Sequence, residues 1–161
     1  MRDATAFAYP QTFIELPPLS LYIHIPWCIK KCPYCDFNSH TYESALPEQD
    51  YVEALIKDLE RDLVHVQGRA LQSIFFGGGT PSLFSAKAVG DILNAAAKHF
   101  SIAADAEITL EANPGTAEAE RFLGYRQAGV NRLSMGVQSL NDAHLKSLGR
   151  IHNASEAIAA F

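Results

Sequence analysis

The chain has 161 residues, 48% hydrophobic and 19% charged, with a formal net charge of −5. Length and composition suit a single folded globular domain and exclude a disordered chain. No cluster of Lys and Arg offers a nucleic-acid footprint, no apolar run approaches the ~18 residues of a membrane span, and residues 1–10 lack the apolar core of a secretory signal. A cytoplasmic, reducing location is therefore expected. The cysteines agree, since all three fall between Cys28 and Cys35. An odd number packed so closely makes a poor disulfide framework and a good metal nest.

The first predicted element is a strand over Leu21–Ile25, stopped by Pro26. A helix comes next, with Val52, Leu55, Ile56, Leu59 and Leu63 recurring at helical spacing and Pro47 suited to its first turn. The second strand, Leu71–Phe76, runs into glycine. Ser85 caps a second helix that sets Val89, Ile92, Leu93, Ala96, Ala97 and Phe100 on one face. Glu107–Leu110 is the third strand, and Thr116 starts a helix that stops near Gly129. A fourth strand spans Asn131–Met135. A short helix is capped by Asn141 and closed by Gly149, and Asn153 with Glu156 reads as a capping box opening one more. There is no internal repeat and no low-complexity segment.

Strand–helix alternation with short links means parallel strands and right-handed crossovers, so the fold class is α/β: a β/α barrel or an open sheet. A complete eightfold barrel takes about 250 residues. Four units cannot close one, and the chain reads as the N-terminal part of a larger protein whose fourth strand is an open edge. Residues 1–19 are expected to be a lead-in and 20–161 an incomplete core domain.

Cys28-Ile29-Lys30-Lys31-Cys32-Pro33-Tyr34-Cys35 directly follows the first strand, at the end that carries chemistry in α/β barrels. Three thiolates can hold three irons of a four-iron, four-sulfur (4Fe–4S) cubane and leave the fourth iron open to a ligand. Zinc is the plainer alternative, but it wants four ligands, usually with C-x2-C spacing. Its fourth ligand would have to be His24 or His40. Three unrelated buried cysteines is a third reading, disfavoured by the clustering.

Gly77-Gly78-Gly79-Thr80-Pro81 follows the second strand. Its glycines let backbone approach a ligand, and it lacks the Gly-Lys-Ser/Thr ending of a phosphate loop. Glu111 ends strand three, where its carboxylate can accept hydrogen bonds from ribose hydroxyls. Taken alone it reads more simply as a solvated turn residue, and Gln138 and Arg150 carry the same ambiguity. What joins them is that each follows a strand on the face that carries the cysteines, and convergent polar groups are what a cofactor site needs.

The C-x3-C-x-aromatic-C signature, with Tyr34 at the aromatic position, resembles that of the radical S-adenosylmethionine (SAM) superfamily. Tyr22-Ile23-His24-Ile25-Pro26-Trp27-Cys28, Gly77-Gly78-Gly79-Thr80-Pro81-Ser82, Glu111-Ala112-Asn113-Pro114 and Gly136-Val137-Gln138-Ser139-Leu140 are similar to the oxygen-independent coproporphyrinogen III oxidase family. The resemblance runs from about residue 20 to the end. It implies a partial TIM barrel and a 4Fe–4S cluster on Cys28, Cys32 and Cys35, whose open iron chelates SAM. An electron donor would reduce the cluster, and cleavage of the sulfonium yields a 5′-deoxyadenosyl radical. Carried over by position, the SAM contacts would be Tyr22, Gly78, Gly79, Thr80, Glu111, Gln138 and Arg150, with the glycine loop holding the amino group of SAM.

True oxidases of that family have a further cysteine two residues after the third, where this chain has Phe37, and a longer region before the cluster than the 27 residues here. Both departures point to the haem chaperone branch, which is thought to bind haem and deliver it to acceptor proteins. Oxidative decarboxylation of coproporphyrinogen III is the second reading, and a zinc-stabilised binding domain the third. His24 is expected to be a packed strand residue. His40, His65, His99, His144 and His152 show no ligand spacing and read as surface or loop residues.

Overall fold

A computed structural model of the chain describes residues 16–42 and 45–161, with the backbone alone for 116–120. Most of the expected lead-in, residues 1–15, lies outside the described residues. The elements in chain order are β1 (Leu19–Ile25), β2 (Trp27–Cys28), β3 (His40–Thr41), α1 (Glu48–Asp62), β4 (Leu71–Gly78), α2 (Ala86–His99), β5 (Ile102–Ala112), α3 (Thr116–Ala128), β6 (Arg132–Met135), α4 (Asp142–Ser147) and α5 (Ala154–Ala159). The main sheet has the order β1-β4-β5-β6 and is parallel throughout. This is the expected α/β succession of parallel units, and β1 and β6 are its two edges.

Strand alternation sorts the side chains to two faces. Ile23, Ile25, Ile74, Phe76 and Leu110 join Val52 of α1 and Val89, Ile92, Leu93 and Ala96 of α2 in one core. Phe76, Ile74 and Leu110 have no exposed surface, and each contributes roughly 1.5–3 kcal/mol of burial free energy. The opposite face runs across the sheet in register as Tyr22, Phe75, Thr109 and Arg132. The rings of Tyr22 and Phe75 stack at 6.3 Å.

The helix boundaries follow their capping chemistry. The Ser85 hydroxyl accepts the Ala88 amide, Asn141 caps α4 through the His144 amide, and Asn153 and Glu156 form a reciprocal capping box. Gly129 closes α3 at φ +118°, a conformation that glycine adopts without strain.

Three features differ from the sequence reading. The third strand, β5, begins at Ile102, five residues before Glu107. Its Ala- and Asp-containing start is a poor strand former by propensity, but Ile102 pairs with Leu71 of β4, and the pairing prevails. Ala97 is exposed, whereas Ala95 is buried. Five positions on from Ile92, Ala97 turns off the apolar stripe, and Ala95 at three positions stays on it. Finally, the two-residue strands β2 and β3 pair in parallel, Trp27 with His40 and Cys28 with Thr41.

Candidate functional site

The β2–β3 pairing turns residues 29–39 into a closed excursion that carries Cys32 and Cys35, while Cys28 sits in β2 itself. The His40 amide reinforces the neck by donating to Pro26 O at 2.7 Å. Inside the excursion the Cys35 amide donates to Cys32 O at 3.0 Å. The Lys31 ammonium donates to Phe37 O at 3.2 Å and Ser39 O at 3.0 Å, gathering the return limb of the loop. All three cysteines are free thiols; Cys28 is buried, and Cys32 and Cys35 are half-buried.

The loop after β4 lies directly against this neck. The Gly79 amide donates to Ile25 O and the Thr80 amide to Trp27 O, each at 2.7 Å. Gly78 sits at φ +117°, where a side chain is strained. A Cβ on Gly79 would stand 2.5 Å from Trp27 O and 3.0 Å from Cys28 Sγ. The turn Pro81–Leu83 is held from below by α3, since the buried Tyr125 hydroxyl lies 2.7 Å from Ser82 O and 2.8 Å from Phe84 O.

Glu111 stands at the end of β5 and accepts the Gly78 amide at 3.3 Å. Burial pushes its carboxyl above the ordinary value, and the Gly78 amide opposes that shift. Two residues on, Asn113 donates through Nδ2 to Thr80 Oγ1 at 3.4 Å and accepts from Arg150 Nη2 at 2.5 Å. Arg150 Nη2 also donates to Gly136 O at 2.6 Å, and Nη1 reaches Cys32 Sγ at 3.4 Å. One guanidinium thus ties together the ends of β5 and β6 and the cysteine loop. Gln138 follows at φ +70°, an uncommon conformation for a residue with a side chain.

These groups line one cleft of about 350 Å³, shared by Cys28, Cys32, Cys35, Gly78, Gly79, Thr80, Glu111, Gln138 and Arg150. Of the residues singled out in the sequence, Tyr22 stands apart from the lining. His24 Nε2 lies 2.8 Å from Asn38 O, which only accepts, so Nε2 carries the proton. In neutral imidazole Nδ1 then accepts from the Tyr22 hydroxyl, 3.0 Å away. Burial, and secondarily the charge of Glu111, raise the pKa of that hydroxyl. Among the described residues no three His, Cys, Asp or Glu side chains converge as ligands of a single metal ion.

Two contributors were not expected from the sequence. Asn113 links Arg150 to Thr80, and its signals were its place after β5 and in the motif Glu111-Ala112-Asn113-Pro114. His152 lies in the loop between α4 and α5, as expected of a loop residue, but it is buried, at 6% exposure. A lone histidine outside any periodic pattern gives no sign of burial. His40, His65, His99 and His144 are exposed, as expected.

Residues 22–161 match the model of the radical SAM superfamily. The chain is 58% identical over 144 residues to heme chaperone HemW of Escherichia coli strain K12, covering 89% of this chain and 38% of that protein. It is 60% identical over 150 residues to heme chaperone HemW of Haemophilus influenzae, covering 91% of this chain and 39% of the relative. A solved structure of coproporphyrinogen III oxidase (HemN) from Escherichia coli, described as a radical SAM enzyme, superposes with a TM-score of 0.79 at 31% identity. That superposition covers 89% of this chain and 33% of the other. The chain therefore spans well under half the length of each.

Proposed function

The chain belongs to the radical SAM superfamily, and we propose that its cleft holds a 4Fe–4S cluster and SAM as part of a haem chaperone that delivers haem to an acceptor protein. The observation that carries the reading of the site is the meeting of three free thiols with a glycine loop and a half-buried carboxylate in one cleft. The donor set fits the group. Cysteine thiolates are the preferred ligands of iron–sulfur clusters, and a cubane takes each on a different iron, so the sulfurs need not converge on one point. When bound, the reduced cluster would supply the electron that cleaves the SAM sulfonium.

The protein's own residues then bind and orient. Gly78 and Gly79 present backbone at close range, and Thr80 offers its hydroxyl to the amino group of the methionine. Glu111, steadied by the Gly78 amide, accepts hydrogen bonds from ribose hydroxyls. Arg150 holds the far wall and sets a positive charge beside Cys32, and Gln138 projects from its left-handed turn. Tyr22 acts through His24, which braces the cysteine loop at Asn38 O.

Two features support the chaperone reading over the oxidase reading. Phe37 lines the cleft where the oxidase pattern has a further cysteine, and the relatives at 58% and 60% identity are named heme chaperones. A cytoplasmic location and an electron donor to the cluster belong to the same proposal. Among the described residues no helix is long and apolar enough to cross a membrane. The test uses the full-length protein with its cluster. Haem titration should give a saturable absorbance change, and mixing with an apo-acceptor should move the haem. Coproporphyrinogen III should not be turned over. Turnover without haem transfer would reverse the assignment in favour of the oxidase.

A further inference from the structure

We propose that His152 is a positioning residue that holds Gln138 in its left-handed conformation at the mouth of the cleft. The inference rests on the reading of that cleft as the SAM site. His152 Nε2 lies 3.1 Å from the carbonyl oxygen of Val137, the residue immediately before Gln138. A carbonyl only accepts, so Nε2–H donates. The same carbonyl takes the Ser139 amide at 2.9 Å, while the Val137 amide donates to Met135 O at 3.0 Å. Gln138 sits between these anchors at φ +70°. A left-handed residue with a side chain persists where its surroundings over-determine it, and such residues gather at functional sites.

The anchor is well placed to be rigid. His152 is 6% exposed, and the segment bearing it is pinned on both sides. Before it, the Arg150 amide donates to Leu145 O at 2.9 Å, and the Arg150 guanidinium grips Gly136 O at 2.6 Å. After it, Asn153 opens α5 with its capping box. Two successive carbonyls of the loop after β6, those of Gly136 and Val137, are therefore gripped by side chains two residues apart on one connector. Arg150 reaches into the cleft itself, whereas His152 does not line it. His152 therefore acts on the cleft through the backbone it holds. Burial favours the neutral imidazole, the form whose single N–H is committed to Val137.

The test is SAM binding to the full-length, cluster-loaded protein, read beside amide hydrogen exchange over 136–139. His152→Phe and the slimmer His152→Met remove the donor and keep an apolar filling. His152→Gln keeps an N–H near the position of Nε2. The donor-less variants should raise the SAM dissociation constant about tenfold, the scale of one lost positioning hydrogen bond. His152→Gln should stay within about threefold of the parent by the same scale. Exchange at Ser139 should quicken in the donor-less variants and recover in His152→Gln. In the background of Gln138→Ala, His152→Phe should add little, because both changes remove the same contact. Additive losses, or an unchanged dissociation constant with unchanged exchange, would overturn the inference and leave the reading of the site standing. A parent protein that binds no SAM would overturn both.

Discussion

Gly79→Ala concentrates the geometry of the site in one methyl group. The new Cβ would lie 2.5 Å from Trp27 O, 2.8 Å from Trp27 C and 3.0 Å from Cys28 Sγ. Merely to bring the Cβ from 2.5 Å to 3.0 Å from the oxygen, backbone must move by about half an ångström. Neither side yields easily. The Trp27 ring is stacked on Phe84 at 5.8 Å and edge-on to Tyr51 at 4.7 Å. The displaced backbone also carries the bonds from Gly79 N to Ile25 O and from Thr80 N to Trp27 O, both 2.7 Å long. Overpacking of this kind costs about 1–3 kcal/mol and each of the two weakened hydrogen bonds about 1 kcal/mol, so a loss of roughly 3–5 kcal/mol is expected. Urea unfolding of the full-length apoprotein measures the stability, and iron content after anaerobic reconstitution measures the site. Gly115→Ala is the control, since nothing lies within 4 Å of its Cβ and its φ of −170° is ordinary extended backbone. A Gly79→Ala protein as stable as the control, with a full complement of iron, would refute the close packing of the glycine loop on the cysteine neck.

Glu111→Ala should weaken SAM binding by about 1–3 kcal/mol, the cost of leaving buried partners unpaired, and calorimetry on the full-length protein would read it. An unchanged affinity would make Glu111 a solvated turn residue. His152 predicts a pH dependence of stability. Burial lowers its pKa, with the Arg150 charge acting in the same direction and the Val137 carbonyl and Glu156 opposing. The unfolded chain therefore binds the proton first, and stability should fall as pH drops below the ordinary histidine value of about 6.5 towards the lower folded value. His152→Gln should flatten that part of the melting-temperature profile between pH 7 and 5, and an unaltered slope would show that the imidazole does not titrate on unfolding.

The sequence made legible the elements whose signals are local. Ser85, Asn141 and Asn153 announce helix starts because capping is a matter of three or four neighbouring residues. Parallel topology followed from the strand–helix order. The cysteine spacing and the glycine run marked the cleft before any fold was known. What escaped is contact across sequence distance. Neither two-residue strand has a periodicity to detect, so the β2–β3 neck that encloses the cysteine loop was invisible. Arg150 meets Asn113 across 37 positions, and nothing near either residue advertises it. Tyr22 lies on the sheet face opposite the core, and its hydroxyl goes to His24 rather than into the cleft. The burial of His152 depends on how the connector between α4 and α5 folds back on β6, which no pattern within that connector encodes.

The central claim is that Cys28, Cys32 and Cys35 hold an iron–sulfur cluster, and metal analysis of the anaerobically reconstituted full-length protein tests it most directly. Iron and acid-labile sulfide should each approach about four per chain, with visible absorbance that Cys32→Ala abolishes. Stoichiometric zinc without sulfide, or a full spectrum retained in Cys32→Ala, would contradict the assignment.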